Sequence, residues 1–195
     1  MKNSRDETHE AYSSFREDKY VYVTANVKNE VGIDAYVDGE ENKPLVIAGS
    51  SGIGKNALLS NWIHQRKDKA VNWKHNFLFA HFVGCSPVSY SLQCMLLRLE
   101  SSLKSFFNLR KMEIPESEER LRWSLFRFLN AAASGDKNKV SGRYASKIII
   151  IIDRDNLLRN EDTQSGALHW LPINLPDYVR FILSTVEFDD ALSVG

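Results

Sequence analysis

Five consecutive isoleucines at residues 148–152 constrain the fold of this chain more than any other feature. Successive side chains of a strand point to opposite faces, so a strand that is apolar at every position must be covered on both sides. Sheets covered on both sides are mostly parallel, with helices packed above and below them. The run therefore predicts a central strand of an α/β protein, and it is far too short to span a bilayer.

Other segments repeat this alternation of strands and helices. Short apolar runs at residues 45–48, 77–83 and 179–183 predict three further strands. Apolar residues at helical spacing follow Lys55, the pair Ser86-Pro87 and Ser117, and each of these positions suits the start of a helix. Strands that alternate with helices imply a parallel sheet with right-handed crossovers.

Residues 20–23 are β-prone, and the other segments outside this alternation are polar. Residues 24–43, which contain Gly32 and Gly39, predict turns before the first core strand, and residues 133–146 predict an exposed loop. We therefore divide the chain into a lead-in and linker at residues 1–42 and a core domain at residues 43–195.

Composition narrows the class of protein. The 195 residues are 43% hydrophobic and 26% charged with a formal net charge of zero, which is ordinary for a globular domain and does not favour nucleic acid as a partner. Two cysteines are too few for a disulfide framework. The polar N-terminus lacks the apolar stretch of a secretory signal, so we expect a cytoplasmic protein without membrane insertion.

Residues 49–56, Gly-Ser-Ser-Gly-Ile-Gly-Lys-Asn, match the phosphate-binding pattern G-x-x-x-x-G-K-[ST] at every fixed position except the last. Glycines let the backbone curl so that its N–H groups point at phosphate oxygens, and the following helix adds its positive end. Lys55 would reach the β- and γ-phosphates. The bare pattern also occurs by chance, but its place between a buried strand and an amphipathic helix favours nucleotide binding.

Asn56 is where the pattern departs. A Ser or Thr hydroxyl at this position normally ligates Mg²⁺. The amide oxygen of Asn also ligates hard cations, but its side chain is longer, and Mg²⁺ demands near-ideal octahedral geometry. We therefore expect weakened metal binding at Asn56, with no harm to the helix, because Asn suits a helix start.

Asp153 ends the isoleucine strand, where ligands gather in parallel sheets. An Asp at this position holds Mg²⁺ in phosphate-loop proteins, so we predict a metal-site role rather than a simple strand-to-turn junction. Asp155 or Asn156 could then orient or deprotonate the attacking water, and Asp155 is the only acid of the two. Arg154 could pair with an acid at this site, although a surface side chain is the simpler interpretation.

Ser184 and Thr185 end the last predicted strand. A hydroxyl at this edge could sense the γ-phosphate or the attacking water. A hydroxyl that bonds only to nearby backbone is an equally good interpretation.

Together these segments resemble the signalling-type P-loop ATPases, the NACHT-like group of the STAND class, and among them the nephrocystin-3-related proteins with tetratricopeptide repeats. The resemblance extends over residues 43–187 and includes residues 81–87, residues 149–156 and the Trp170-Leu171-Pro172 segment. It implies a P-loop NTPase three-layer sandwich with a mostly parallel central sheet. It also implies a switch whose nucleotide state controls assembly and whose repeats bind protein partners, with an association with cilia.

The resemblance assigns roles to individual positions. It implies that Asp153 holds Mg²⁺, that Ser184 and Thr185 form the sensor, and that ATP is bound by one continuous segment, namely Gly49, Ser50, Ser51, Gly52, Ile53, Gly54, Lys55, Asn56 and Ala57. Asn56 and Arg154 depart from the usual Ser or Thr and the usual Gly. A fifth core strand and the repeats would follow the sensor strand, so we expect a truncated core that ends at Gly195.

Three functional hypotheses follow from these residues. The first is a slow signalling ATPase, and the second is a nucleotide-binding or protein-interaction module that does not hydrolyse its ligand. The third is a segment that binds no nucleotide. The motifs do not read the base, so they do not separate ATP from GTP.

Overall fold

The computed structural model describes residues 21–24, 29–69, 76–133, 147–154, 158, 170–172 and 174–186. Side chains are described for the same residues except 21–24, 29–31 and 67–69. Within this part of the chain, no helix has the length and apolar character that a membrane crossing requires.

Among the residues that the structure describes, the centre of the fold is a five-stranded sheet in which every pair of neighbours is parallel. Its strands are β1 Val21–Thr24, β2 Leu45–Gly49, β3 Phe77–Phe82, β4 Ile148–Asp153 and β5 Val179–Val186. Their spatial order is β1-β2-β5-β4-β3, so β5 lies between β2 and β4. The predicted parallel α/β sheet is confirmed.

Within the described residues, four α-helices cover this sheet. They are α1 Asn29–Asp38, α2 Lys55–Lys69, α3 Leu92–Phe106 and α4 Glu118–Ala133, with a short 3-10 helix at Pro87–Tyr90 before α3. Apolar residues of α3 and α4 pack with Ile148, Ile150 and Ile152 in one core cluster. Those of α1 and α2 pack with Ile149 and Ile151 in the other. The alternating isoleucines thus join two helical layers to one sheet, which confirms the predicted three-layer arrangement.

Helix α1 is where the prediction from sequence was wrong. We expected turns across residues 24–43, but Asn29–Asp38 is helical. Ile33, Tyr36 and Val37 are buried at helical spacing against the sheet. Gly32 weakens a helix by about 1 kcal/mol relative to Ala, and burying three apolar side chains more than offsets this cost.

Polar contacts also fix α1 to its neighbours. The Tyr36 hydroxyl donates to the carbonyl of Phe181 at 3.0 Å, in the middle of β5. On the other side, the indole of Trp62 in α2 donates to Asp34 Oδ1 at 2.7 Å. The helix is therefore packed as part of the core layer, although the boundary between residues 42 and 43 stays a prediction.

A buried arginine ties the end of α1 to the start of β5. Arg180 has no exposed surface, and its guanidinium donates to the carbonyls of Gly39 at 2.6 Å, Asp177 at 2.7 Å and Tyr36 at 3.3 Å. Lys147 Nζ also donates to the Gly39 carbonyl, at 2.7 Å. Cations suit the negative end of a helix, and the carbonyls replace the water that this charge loses on burial.

The chain after β3 also differs from expectation. Ser86-Pro87 opens only the short 3-10 helix, whereas α3 begins at Leu92. Ser91 caps α3 by accepting a hydrogen bond from the Cys94 N–H at 3.2 Å. Proline suited a first turn, as predicted, but a second capping serine set the start of the α-helix.

Candidate functional site

The predicted site residues come from segments that end at one edge of the sheet. Strands β2, β5 and β4 are parallel neighbours, so their carboxyl ends lie together. The register pairs Ala48 with Thr185 and Ile152 with Leu183. The glycine loop after β2 and the aspartate that ends β4 therefore flank the end of β5.

Left-handed glycines shape the loop at residues 49–54. Gly52 and Gly54 have φ angles of 84° and 98°, a region that side chains other than glycine rarely adopt. A Cβ atom added at either position would meet no atom within 4 Å. Glycine is thus required here by backbone conformation, and the space beside the loop is open to a ligand.

Lys55 begins α2 and lies across the start of the loop. Its side chain is buried, and Nζ donates to the carbonyls of Gly49 at 2.6 Å and Ser50 at 2.9 Å. This contact places a positive charge against the first carbonyls of the loop.

The start of α2 adds a second attraction for anions. The first N–H groups of any helix have no acceptor within the helix, and the helix dipole is positive there. The first turn of α2 contains no acidic side chain that would occupy these donors. Loop, lysine and helix start together have the chemistry of a phosphate site.

Asp153 is almost completely buried and both of its carboxylate oxygens accept hydrogen bonds. The Ser184 hydroxyl donates to Oδ1, and the side-chain amide of Asn56 donates to Oδ2 at 3.2 Å. The backbone carbonyl of Asp153 accepts from the Val83 N–H at 3.1 Å. Three residues that the sequence singled out separately are therefore in direct contact.

The orientation of the Asn56 amide follows from its partner. An ionised carboxylate only accepts hydrogen bonds, so the nitrogen of the amide must face Asp153. The amide oxygen then accepts from the Ser60 hydroxyl at 3.3 Å, one turn along α2. Magnesium requires oxygen ligands. In this arrangement Asn56 offers Asp153 a donor and turns its oxygen away, so the two residues do not fit a shared Mg²⁺ ion.

Ser184 bridges β5 and β4. Its buried hydroxyl donates to Asp153 and accepts from the Arg154 N–H at 3.0 Å. The hydroxyl therefore contacts backbone of a different strand and a carboxylate, which goes beyond the interpretation that it bonds only to nearby backbone. Thr185 is also buried. The sensor role of these two residues stays a prediction.

Arg154 adopts the left-handed conformation, with φ at 58°, directly after Asp153. Its side chain is exposed, and a Cβ atom added at Gly84 would lie 3.8 Å from its guanidinium nitrogen Nη1. Gly84 follows β3, on the side of β4 away from β5. The surface interpretation of Arg154 is confirmed, and the guanidinium does not contact Asp153.

Asp155 and Asn156 lie outside the described residues, so the water-activating role stays a prediction.

Sequence reasoning missed a buried histidine network beside this edge. The two ring nitrogens of His81 lie 2.8 Å from the Ser89 carbonyl and 2.9 Å from the Arg98 guanidinium. Burial lowers the pKa of His81, and nearby Arg98 adds to this effect, so the neutral form of the ring is favoured. The ring joins the 3-10 helix to α3. The available signal was the period-2 spacing of Phe77, Phe79 and His81 in a predicted strand, which the structure buries on one face.

Sequence comparison finds distant relatives of the chain among much longer proteins. Nephrocystin-3 of Xenopus tropicalis is 34% identical over 142 residues, which cover 72% of this chain and 10% of the relative. A TPR repeat-containing protein of Dictyostelium discoideum is 25% identical over 181 residues, which cover 75% of this chain and 10% of the relative. NACHT and WD repeat domain-containing protein 2 of Mus musculus is 27% identical over 151 residues, which cover 73% of this chain and 8% of the relative.

These relatives point to a NACHT-related family. The chain spans about a tenth of the length of the relatives it matches. No protein-family profile matches the chain. The relationship agrees with the resemblance drawn from residues 43–187 at the level of the family.

Proposed function

We propose that this domain binds a nucleoside triphosphate, with ATP as the expected ligand, and acts as the switch or scaffold of a signalling-type P-loop protein. The observation that carries the proposal is the loop at residues 49–54, curled by two left-handed glycines. Lys55 lies across its first carbonyls and a 15-residue helix starts at its end. ATP rather than GTP follows from the resemblance to signalling ATPases alone.

The proposed phosphate contacts use groups that already converge on the loop. Phosphate oxygens would accept from the loop N–H groups and from the first turn of α2, including Asn56 and Ala57. Lys55 Nζ would exchange the carbonyls of Gly49 and Ser50 for the β- and γ-phosphates. This exchange replaces two neutral acceptors with charged ones, which form stronger hydrogen bonds.

A thermal-shift experiment tests the binding proposal. A ligand at 100 times its dissociation constant stabilises the native state by about 2.7 kcal/mol, which raises the melting temperature of a domain this size by about 5–10 °C. ATP should produce this shift in the wild type and not in the Lys55→Ala variant. Lys43→Ala is the matched control, because Lys43 is exposed just before β2, at the opposite edge of the sheet. Absence of a shift in the wild type would refute nucleotide binding.

Hydrolysis, if present, is proposed to be slow. Asp153 and Ser184 lie at the sheet edge next to the loop, as a P-loop ATPase requires, but the Asn56 contact competes for the carboxylate that would hold the metal. That contact favours the second candidate function, a nucleotide-binding or protein-interaction module without turnover.

Single-turnover hydrolysis of ATP in the presence of Mg²⁺ separates these two functions. Turnover that disappears in Lys55→Ala supports the slow ATPase. If neither the wild type nor the Asn56→Ser variant turns over ATP, the enzyme is ruled out and the binding module remains.

The setting of the domain is part of the same proposal. The names of the relatives mention TPR repeats, WD repeats and NACHT. By analogy, we expect the nucleotide state of this domain to control protein partners that bind repeat regions of a larger protein. A cytoplasmic location, with association to the cilium by resemblance, completes the proposal.

A further inference from the structure

The first turn of α2 and the end of β4 face each other across a short gap. In P-loop proteins a hydroxyl after the lysine and an aspartate after the strand hold Mg²⁺ in this gap. Here the gap is closed by a direct hydrogen bond from the Asn56 amide to Asp153 Oδ2, at 3.2 Å.

We infer that Asn56 determines the cation requirement of the site, so that the triphosphate binds without a divalent metal ion. The inference rests on the proposed nucleotide binding and states which form of the nucleotide is bound. Its basis is the set of contacts around Asp153.

The carboxylate of Asp153 has no oxygen left without a hydrogen-bond donor. Ser184 donates to Oδ1 and Asn56 donates to Oδ2. The residue is only 1% exposed, so its charge depends on these donors in place of water. An incoming metal ion, or a water bound to it, would have to compete with the Asn56 amide for Oδ2.

The amide cannot serve as the metal ligand without turning over. Its oxygen accepts from Ser60 on the outer side of α2, and its nitrogen faces the carboxylate. Turning the amide would bring its oxygen against the carboxylate oxygen, which is repulsive unless a cation separates them. Serine at position 56 has neither the reach nor the second polar atom needed for this bridge, so it would leave the gap open to a metal ion.

Charge balance favours the same conclusion. Lys55 and the start of α2 supply positive potential at the loop. A triphosphate without metal carries more negative charge than its magnesium complex, so this potential attracts it more strongly. Magnesium should therefore leave the affinity of the wild type unchanged or lower it.

The test is a calorimetric titration with ATP in magnesium-containing buffer and in buffer with EDTA. For the wild type we expect dissociation constants that agree within about threefold, or tighter binding in EDTA. For Asn56→Ser and Asn56→Thr we expect magnesium to tighten binding by about tenfold, the scale of one additional interaction with a charged group. Asn130→Ser makes the same change on α4, where the amide donates to the Phe126 carbonyl of its own helix at 2.9 Å, and should behave as the wild type.

The outcomes separate the inference from the proposed function. If the wild type binds ATP at least about tenfold more tightly with magnesium, the inference is overturned while nucleotide binding stands. If magnesium changes the ATP affinity of the serine and threonine variants no more than it changes that of the wild type, the assignment to Asn56 is overturned. Absence of binding in both buffers overturns both. The wild-type comparison needs no variant, so it decides the inference even if a substitution prevents folding.

Discussion

At the scale of single residues, the structure buries polar groups whose burial the sequence pattern does not reveal. Glu100 in α3 is completely buried and its Oε1 accepts from the Ser124 hydroxyl of α4 at 2.5 Å. Its second oxygen, Oε2, has no hydrogen-bond partner among the described residues. Burial raises the pKa of this carboxyl to about 7, although the bond from Ser124 acts in the opposite direction. The charged form is therefore disfavoured between the two helices.

Glu100 should make the fold less stable as the pH rises. The folded state keeps the proton up to about pH 7, whereas the unfolded chain loses it near 4.5. The stabilisation is thus complete below pH 4.5 and is lost as the pH rises through 7, with a total on the order of 3 kcal/mol. Glu100→Gln should flatten this part of the pH profile and raise the stability at neutral pH.

Urea unfolding from about pH 5 to about pH 8 measures this effect. Glu119→Gln is the control, because Glu119 is exposed on α4, and it should keep the wild-type profile. An unchanged slope in Glu100→Gln would show that another group causes the pH dependence.

At the scale of elements, the site depends on how α1 and the sheet hold β5. The Tyr36 hydroxyl binds the Phe181 carbonyl, and Arg180 binds carbonyls at the end of α1. Farther along the same strand, Ser184 contacts Asp153. The contacts with α1 and the contact with Asp153 thus involve the same strand, β5.

Replacing Arg180 should loosen α1. Arg180→Met keeps the apolar volume but removes the guanidinium donor from the carbonyls of Asp177 and Tyr36 and leaves the Gly39 carbonyl to Lys147 alone, at a cost of about 2–3 kcal/mol. The measurements are the urea midpoint and amide hydrogen exchange along α1. Arg120→Met, an exposed position on α4, should change neither. If α1 exchanges no faster in Arg180→Met, the clamp does not hold this helix.

At the scale of the whole molecule, much of the architecture was predictable because the signals are local or periodic. The isoleucines of β4 are apolar at every position, so both faces had to be covered, and the two core clusters cover them. Leu92, Met95 and Leu96 repeat at helical spacing and are buried in α3. Helix α1 escaped prediction because Gly32 and the flanking polar residues suggested turns, although Ile33, Tyr36 and Val37 recur at helical spacing. Its helical form depends on a sheet face built from distant residues.

The sequence by itself determined the glycine loop, the lysine that follows it and the aspartate at the end of β4, because each is a local pattern of residue types. Only the tertiary structure decided that Asn56, Asp153 and Ser184 touch. Their contact depends on β5 lying between β2 and β4, and this order arises from packing among segments far apart in the chain. For the same reason, the sequence showed only that Asn56 departs from the Ser or Thr of the pattern. The fold showed that its amide donates a hydrogen bond to Asp153 at the position of a metal ligand.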